Sequence, residues 1–312
     1  MSNILIIKHG SLGDIAQISG ALKDIRVSFP NSKIFILTTS QYSEVLGRCP
    51  YLDAVLIDRR LPRWNVFYLI KLRKMLRKYN FSHIYDLQNS SRTLFYQRYL
   101  LNFAKWNSTK TILKKGTKKS DFDKESVLER FKIQLQHADI KTNHTTSPDF
   151  SWACVDINEI VNKYFNKKFI LLFPFSSPKL SHKQWPYYND LIKIIKDSNP
   201  SFEIATVPGP NEIELAETIN AIPITKNKKS LSIVELSGLI KKSSFIIAND
   251  TGPAHIAAHL KKEGIVLFGH HTTPKRVSIE TNIFKAITVS DLTKLLPDQV
   301  YLEIKDRLKL IN

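Results

Sequence analysis

The chain of 312 residues contains only two cysteines and no long apolar run. Cys49 and Cys154 are too few for a disulfide framework or a cysteine metal site, which fits a reducing compartment. The apolar runs, such as residues 4–7 and 169–173, are strand-sized and far shorter than the ~18 residues of a membrane span. The amino end also lacks the pattern of a secretory signal. These absences predict a soluble cytoplasmic protein.

Acidic residues are scarce as well. The chain has 28 Asp and Glu against 46 Lys and Arg, a net charge of +18, while apolar residues make up 43%. That apolar fraction is typical of globular proteins and excludes a disordered polycation. Residues 1–150 carry 25 basic and 12 acidic residues, whereas residues 151–312 carry 21 and 16. The first half therefore indicates an anionic partner.

Two basic segments supply most of this excess: a predicted helix over residues 64–79 and a lysine-rich segment at residues 105–124. On a helical wheel, Trp64 falls on the apolar arc, and the opposite, basic arc contains Lys71, Lys74 and Lys78. Three apolar residues interrupt the basic side near its start: Val66, Phe67 and Ile70. Such a helix suits a membrane surface or a lipid head group, but a solvated face is the simpler interpretation of the helix alone.

A basic half also suits nucleic acid, but the other signs of such binding are missing. The sequence has neither zinc-finger spacing nor an RNP-like aromatic motif. We therefore expect no nucleic-acid partner.

Strand-like and helix-like segments alternate, which predicts an α/β protein with parallel sheets and crossover helices. The clearest helix is residues 14–27, and the predicted strands are residues 3–8, 33–38, 54–57, 83–87, 109–113, 169–173, 202–207, 245–248 and 265–268. Residues 141–151 are polar and contain Pro148, so they predict a linker. The sequence thus predicts two Rossmann-like domains, residues 1–150 and 151–312, with sheets facing a central cleft. The C-terminal helix is predicted to belong to the second domain or to pack back on the first.

A turn with two glycines, residues 8–14 (KHGSLGD), follows the first predicted strand. It is not the GxGxxG fingerprint, and an acid at the start of a helix repels phosphate, so dinucleotide binding is disfavoured. Asp14 suits an N-terminal helix cap. A general base would also be expected at the carboxyl end of a first strand. From the residues alone both roles stay open.

Polar residues follow two strands of the second half. Ser176, Ser177 and Lys183 follow residues 169–173. Hydroxyl and ammonium donors at a strand end suit a diphosphate, and a plain loop is the alternative. Glu212, in the turn after residues 202–207, suits either a helix-start carboxylate or an acceptor for ribose hydroxyls.

Residues 245–258 (FIIANDTGPAHIAA) combine a buried strand, a turn and a helix start. The turn and helix start consist of Asp250, Thr251, Gly252 and Pro253. Free backbone amides at a helix start bind anions.

Four histidines lie in or after this segment. His255 and His259 are spaced like a metal pair, but no third ligand accompanies them, so we expect phosphate-contacting or core histidines and no metal. His270 and His271 follow the next strand and face either the same crevice or solvent.

Five segments together resemble glycosyltransferase family 9, the ADP-heptose:lipopolysaccharide heptosyltransferases. They are ILIIKHGSLGD, HIYDLQ, FPFSSPKLSHKQWP, VPGPNEIELAE and ANDTGPAHIAA, in the family's order over nearly the whole chain. The resemblance implies a GT-B fold, with an acceptor-binding first domain and a nucleotide-sugar-binding second domain. It also implies an inverting transfer that needs no metal or cofactor.

The resemblance assigns roles to residues. Asp14 is the general base, and Gly13 lies beside it at the acceptor. Ser176, Ser177 and Lys183 contact the diphosphate, and Glu212 contacts the ribose. The residues implied for the donor sugar and phosphates are Asp250, Thr251, Gly252, Pro253 and His255.

The implied donor is ADP-L-glycero-D-manno-heptose, and the implied acceptor is a hydroxyl of the lipopolysaccharide inner core, on Kdo-lipid A or a heptose attached to it. We expect Lys71, Lys74 and Lys78 to help bind this anionic acceptor. The expected location is the cytoplasmic side of the inner membrane, with peripheral association.

Three alternatives stay open. Residues 268–274 (FGHHTTP) depart from the family's F-G-P-T-D-P pattern, so a different nucleotide sugar is one alternative. A nucleotide-sugar epimerase or dehydrogenase is another; Tyr164 and Lys168 have the required spacing but abut a strand. The third is a non-catalytic polyanion-binding protein.

Overall fold

The computed structural model describes residues 2–113, 116 and 118–311. The chain divides into two compact units, Met1–Trp152 and Ala153–Asn312. Each unit is built on one parallel β-sheet with helices on its faces.

The first unit contains a sheet of five strands in the order β3-β2-β1-β4-β5. Its strands are β1 (Asn3–Ile7), β2 (Lys33–Thr38), β3 (Ala54–Ile57), β4 (Phe81–Asp86) and β5 (Lys105–Asn107). Every neighbouring pair is parallel. The apolar side chains of β1 are fully buried, as expected for a strand covered on both faces. The strand order reverses between β1 and β4, and a crevice opens at the carboxyl ends of strands at such a point.

The helices of the first unit connect these strands. They are α1 (Leu12–Gln17), α2 (Ser19–Ser28), α3 (Ser43–Gly47), α4 (Val66–Arg77), α5 (Ser91–Tyr99), α6 (Thr109–Ile112), α7 (Lys119–Phe122) and α8 (Val127–Gln136). Leu72 and Leu76 of α4 pack into one core cluster with Tyr96 of α5. The two helices therefore cover the same face of the sheet.

The second unit contains a sheet of six strands in the order β11-β10-β9-β6-β7-β8. Its strands are β6 (Lys168–Phe173), β7 (Phe202–Thr206), β8 (Ile222–Pro223), β9 (Phe245–Asn249), β10 (Gly264–Phe268) and β11 (Phe284–Thr288). All pairs are parallel, and the order reverses between β6 and β9.

The helices of the second unit are α9 (Asn158–Tyr164), α10 (Tyr188–Ser198), α11 (Ile213–Ala216), α12 (Ile233–Lys242), α13 (Gly252–His259), α14 (Pro274–Val277) and α15 (Pro297–Leu310). In α10 the buried residues recur at three- and four-residue spacing, which aligns them on one face: Tyr188, Leu191, Ile192 and Ile195. The C-terminal helix α15 buries Val300, Ile304 and Leu308 in the core of this unit and packs against α10.

Two local predictions were wrong. The helix expected over residues 14–27 is interrupted at Ile18, so that α1 and α2 are separate. The strand expected at residues 109–113 is helix α6, and the strand lies earlier, at β5. Ser108 starts this helix: its backbone N–H donates to Thr111 Oγ1 (2.9 Å), and its hydroxyl accepts from the Thr111 N–H (3.4 Å). This reciprocal cap favours a helical turn over an extended strand.

The start of α4 also differs from the prediction. The helix begins at Val66, and the side chain of Asn65 caps it by accepting from the Tyr68 N–H at 3.0 Å. Trp64 therefore precedes the helix, does not join its apolar face, and is 80% exposed. The basic side is exposed as predicted, and Lys71, Lys74 and Lys78 lie on it.

Of the lysine-rich segment, Lys114, Lys115 and Thr117 lie outside the described residues. Lys105 begins β5 and Lys119 begins α7. The predicted linker is irregular, but it is firmly held, because Thr145 and Phe150 are fully buried.

Candidate active site

Asp14 lies in the first turn of α1, at the crevice where the strand order of the first unit reverses. Its Oδ2 accepts from the Ser11 N–H at 2.7 Å and lies 3.3 Å from Ser11 Oγ. Its Oδ1 lies 3.2 Å from the ammonium of Lys8, and the side chain is 34% exposed. Asp14 therefore caps α1 and at the same time presents a carboxylate to solvent.

Lys8 is an almost buried cation that sequence reasoning missed. Besides Asp14, its ammonium donates to the Leu87 carbonyl at 3.2 Å and lies 5.4 Å from the centroid of the Phe131 ring. The available signal was a lysine directly after a buried apolar strand. Because a buried ammonium needs a counter-charge, Lys8 fixes the position of the Asp14 carboxylate.

A pocket of about 150 Å³ adjoins Asp14 and Lys8, and every residue that lines it belongs to the first unit. Its wall carries Lys119 and Arg130, which are both paired with Asp123, at 2.7 and 3.0 Å. A second cavity of about 430 Å³ shares Asn89, Thr109 and Lys119 with it. Three cations and two carboxylates, Asp14 and Asp123, thus line this small pocket, and the excess of one positive charge suits an anionic group.

A buried polar cluster around Asp58 supports the loop between β1 and α1. His9 Nε2 lies 2.9 Å from Asp58 Oδ2, and Asp58 is fully buried after β3. The hydroxyls of Tyr68 and Tyr96 donate to the same carboxylate, the latter at 2.7 Å. Burial opposes ionisation of Asp58, but the contacts from His9 and the two tyrosines outweigh it and hold its pKa well below the usual range.

In the second unit, Lys183 and Asp250 meet where the strand order reverses between β6 and β9. The Lys183 ammonium lies 2.6 Å from Asp250 Oδ2 and also donates to the Asp250 carbonyl at 3.3 Å. His271 Nε2 lies 2.9 Å from the same Oδ2, and His255 Nε2 lies 3.6 Å from Oδ1. The buried Asp250 carboxylate is thus surrounded by Lys183 and His255, which were predicted to bind the donor, and by His271, whose orientation was left open.

The electrostatics of this cluster favour a charged Asp250. Burial raises the pKa of the carboxyl group, but contacts with His255 and Lys183 outweigh it and hold the pKa well below the usual range. Burial lowers the pKa of His271, although Asp250 opposes that change. Asp250 is therefore the fixed negative charge that holds the Lys183 ammonium in place.

The side chain of Asn249, at the end of β9, stabilises the loop after β6 through two hydrogen bonds. Its side-chain amide donates to the Pro174 carbonyl at 2.6 Å, and its Oδ1 accepts from the Trp185 N–H at 3.3 Å. Ser176 Oγ donates to the Leu180 carbonyl at 2.8 Å, so this hydroxyl stabilises the loop. Ser177 is exposed at the start of the short helical turn Pro178–Lys183.

The remaining predicted donor residues lie at other loop ends of the second unit. Thr251 precedes α13 at the N-cap position without a side-chain capping bond, and its Oγ1 donates to the Asn249 carbonyl at 3.3 Å. Gly252 and Pro253 form the first turn of α13. Glu212 Oε2 accepts from the Gly209 N–H at 2.7 Å and closes the turn after β7.

The pair His255 and His259 does not have the geometry of a metal site. His259 is buried, and burial lowers its pKa to about 3, so its ring is a neutral core side chain. Among residues 2–113, 116 and 118–311, no group of three or more His, Cys, Asp or Glu residues could hold a metal ion. Over the same ranges, no helix has the length and apolarity required to cross a bilayer.

The predicted acceptor-binding residues do not form one cluster in the structure. Gly13 is buried next to Asp14 in α1, whereas Lys71 and Lys74 are exposed on α4 and Lys78 is exposed directly after it. These lysines are not among the residues that line the pocket beside Asp14.

Two parallel-sheet α/β units of this kind define the GT-B class of fold. Similarity to solved structures confirms this fold for the chain. Escherichia coli heptosyltransferase WaaC with ADP-2-deoxy-2-fluoro heptose superimposes with a TM-score of 0.72 at 15% identity, over 98% of this chain and 99% of that one.

Sequence comparison identifies the family. Residues 69–294 match the family model of glycosyltransferase family 9 (heptosyltransferase). Lipopolysaccharide core heptosyltransferase OpsX of Haemophilus influenzae is 21% identical, over 92% of this chain and 84% of that protein. Lipopolysaccharide heptosyltransferase 1 of Campylobacter coli is 25% identical, over 97% and 93%. The chain belongs to glycosyltransferase family 9 and is a transferase.

Proposed function

We propose that this enzyme moves a heptose from ADP-L-glycero-D-manno-heptose to a hydroxyl of the lipopolysaccharide inner core, with Asp14 as the general base. The observation that carries the proposal is the Asp14 carboxylate, held by Lys8 beside a cationic pocket of about 150 Å³. A family 9 enzyme needs a base at its acceptor, and this carboxylate is partly exposed and firmly positioned.

The proposed reaction is a single displacement with inversion. The acceptor oxygen attacks the anomeric carbon, the bond from that carbon to the diphosphate oxygen breaks, and ADP leaves. Asp14 takes the proton of the attacking hydroxyl. Lys183 and the amides at the start of α13 offset the charge that develops on the diphosphate.

The proposed donor rests on the second unit and on the relatives. Lys183 is held at the carboxyl end of β6 by Asp250, next to the N-terminus of α13, which together suit a diphosphate. The WaaC structure contains an ADP-heptose analogue. A different nucleotide sugar remains the alternative donor, because the loop after β10 carries His270 and His271.

The proposed acceptor is anionic and membrane-borne. Lys8, Lys119 and Arg130 line the pocket beside Asp14, which suits the acidic sugars and phosphates of the inner core. Lys71 and Lys74 on α4, and Lys78 directly after it, add positive charge. We therefore place the enzyme in the cytoplasm, in peripheral association with the inner membrane.

Replacement of Asp14 tests the proposal. We expect Asp14→Asn to lower transfer from ADP-heptose to a Kdo-lipid A acceptor by at least ~100-fold, because general bases contribute about 10²–10⁴-fold. Its affinity for ADP, measured by calorimetry, should stay that of the parent. Asp190→Asn is the matched control, since Asp190 also lies in the first turn of a helix, α10, and should transfer normally.

Three outcomes would contradict this function. Substantial transfer by Asp14→Asn would remove the general-base role. Preference of the parent enzyme for UDP over ADP would reject the ADP-sugar donor. Absence of transfer from any nucleotide sugar, together with tight binding to polyanions, would favour a non-catalytic binding protein.

A further inference from the structure

We propose that four apolar side chains at the start of α4 form a surface that inserts into an anionic lipid bilayer. This surface, the α4 tip, consists of Trp64, Val66, Phe67 and Ile70. The inference rests on the proposed function, because it identifies the part of the enzyme that holds it at the membrane carrying the acceptor.

The α4 tip is more exposed than a folded protein requires. The four side chains are exposed by 80%, 60%, 83% and 58%, within seven consecutive residues. Apolar area left in water is unfavourable, and clustered exposed apolar residues mark interaction sites. Elsewhere in the first unit the exposed apolar side chains are fewer or less exposed: Val27 stands alone on α2, and Tyr99 and Phe103 are exposed by 52% and 40%.

The tip is not needed for the core of the first unit. Leu72 and Leu76 supply the buried contacts of α4, and Tyr68 holds the helix to Asp58. Asn65 caps the helix between Trp64 and Val66, so the backbone of the tip is ordered. The tip is therefore a preformed apolar surface that leaves the folding contacts intact.

The charges around the tip favour a bilayer with anionic head groups. No Asp or Glu occurs between Asp58 and Asp86, while the same stretch contains eight basic residues: Arg59, Arg60, Arg63, Lys71, Arg73, Lys74, Arg77 and Lys78. Aromatic and aliphatic side chains flanked by Lys and Arg are typical of helices that lie in a membrane interface. Each exposed cation adds attraction to anionic lipid.

The topology places the tip on the same side of the unit as Asp14. Helices α1, α4, α5 and α6 each follow a parallel strand, so they all begin at the carboxyl edge of the sheet. Arg63 connects the tip to the start of α5, since its guanidinium lies 3.5 Å from the Ser91 carbonyl oxygen and 5.8 Å from the Phe95 ring centroid. Ser91 lines the cavity of about 430 Å³ that adjoins the pocket of Asp14. An acceptor that keeps its lipid in the bilayer would thus present its sugars close to the base.

Vesicle binding tests the inference with the full chain. The parent should sediment with phosphatidylethanolamine vesicles that contain phosphatidylglycerol, and less with phosphatidylcholine vesicles. The double variant Trp64→Ser/Phe67→Ser should bind the anionic vesicles at least ~10-fold more weakly, because two inserted aromatic side chains are lost. Its transfer to a lipid-free acceptor should equal that of the parent.

Tyr99→Ser/Phe103→Ser is the matched control. These aromatic residues are also exposed and adjacent to arginines, but Tyr99 ends α5 and Phe103 follows it, at the opposite edge of the sheet. This control should bind vesicles like the parent. Equal binding by the tip variant and the parent would overturn the inference, as would equal losses in the tip variant and the control.

Fluorescence quenching by brominated phosphatidylglycerol separates insertion from electrostatic adhesion. Trp64→Phe keeps an apolar tip, so it should still bind, but it should lose most of the quenching seen in the parent. Unchanged quenching would show that Trp64 does not enter the bilayer. If the enzyme transfers heptose but does not bind vesicles, the membrane surface alone is refuted. If it binds vesicles through the α4 tip but transfers no heptose, the proposed function alone is refuted.

Discussion

Asp58 is a single buried carboxylate that supports the loop between β1 and α1, which leads to Asp14. It receives contacts from His9, which follows β1, from Tyr68 on α4 and from Tyr96 on α5. It therefore connects the loop before Asp14 to α4, which begins at the α4 tip, and to α5. The carboxylate makes no contact with the pocket itself, so its effect on activity would be indirect.

We expect Asp58→Asn to lower the unfolding free energy at neutral pH by about 3 kcal/mol, because it removes a buried carboxylate charge that His9, Tyr68 and Tyr96 stabilise. The pKa of Asp58 is lowered in the folded state, so its stabilisation is present above the unfolded pKa of about 4 and is lost as the pH falls through the folded pKa. The difference between parent and variant should therefore shrink below about pH 4. Urea unfolding over a pH series measures it.

The exposed Asp197→Asn serves as the reference and should match the parent at every pH. A difference between parent and Asp58→Asn that stays constant from neutral to acid pH would contradict the role assigned to the charge.

Residue pairing was the part of the site that the sequence could not predict. Strand ends placed Lys183 and Asp250 at one edge of a sheet, because parallel strands align their carboxyl ends. The contact of His271 with Asp250 depends on the path of the loop after β10, and the contact of His9 with Asp58 joins loops 49 residues apart in the chain. Side-chain periodicity carries no information on such contacts.

At the scale of elements, the segment that precedes the second unit is docked on α2. The Asp24 carboxylate accepts from the backbone N–H groups of His144 and Thr145, at distances of 2.7 to 3.1 Å. Gly20 approaches the same segment so closely that an added Cβ would lie 2.1 Å from the His144 carbonyl oxygen. A residue with any side chain at position 20 would force the two apart.

We therefore expect Gly20→Ala to destabilise the protein by roughly 2 kcal/mol, in the range found for overpacked sites. Gly47→Ala is the control: Gly47 ends α3 with no atom within 4 Å of an added Cβ, so alanine there should be neutral or slightly stabilising. Thermal unfolding of both variants measures the difference. Equal stability of Gly20→Ala and the parent would show that the segment is not held closely against α2.

Most elements were predictable because buried strands of a parallel sheet form continuous apolar runs. The elements that were missed are those whose sequence lacks this signal. Strand β8 has two residues, β11 is only partly buried, and α6 depends on the Ser108 cap. The break at Ile18 was also unpredictable, since Ile18 itself continues the apolar spacing of a single helix.

At the scale of the whole molecule, the charge is divided unequally between the two units, for which we propose different roles. The sequence predicted the α/β class and the GT-B fold, and solved structures confirm both. The basic excess lies in the unit that contains Asp14 and the pocket with Lys8, Lys119 and Arg130. The excess should therefore affect the acceptor much more than the donor.

Replacement of Lys71, Lys74 and Lys78 by serine tests this division. We expect the KM for a lipid-free anionic acceptor to rise roughly fivefold at low salt, because each exposed cation contributes a few tenths of a kcal/mol. The KM for the donor should not change. The effect should fade as salt is added, since the Debye length shrinks from ~10 Å at 0.1 M to ~3 Å at 1 M.

The control replaces three exposed lysines of the second unit by serine, namely Lys193, Lys275 and Lys285, for the same loss of charge. If both triple variants raise the acceptor KM equally, the net charge of the molecule governs acceptor binding and α4 has no special part in it.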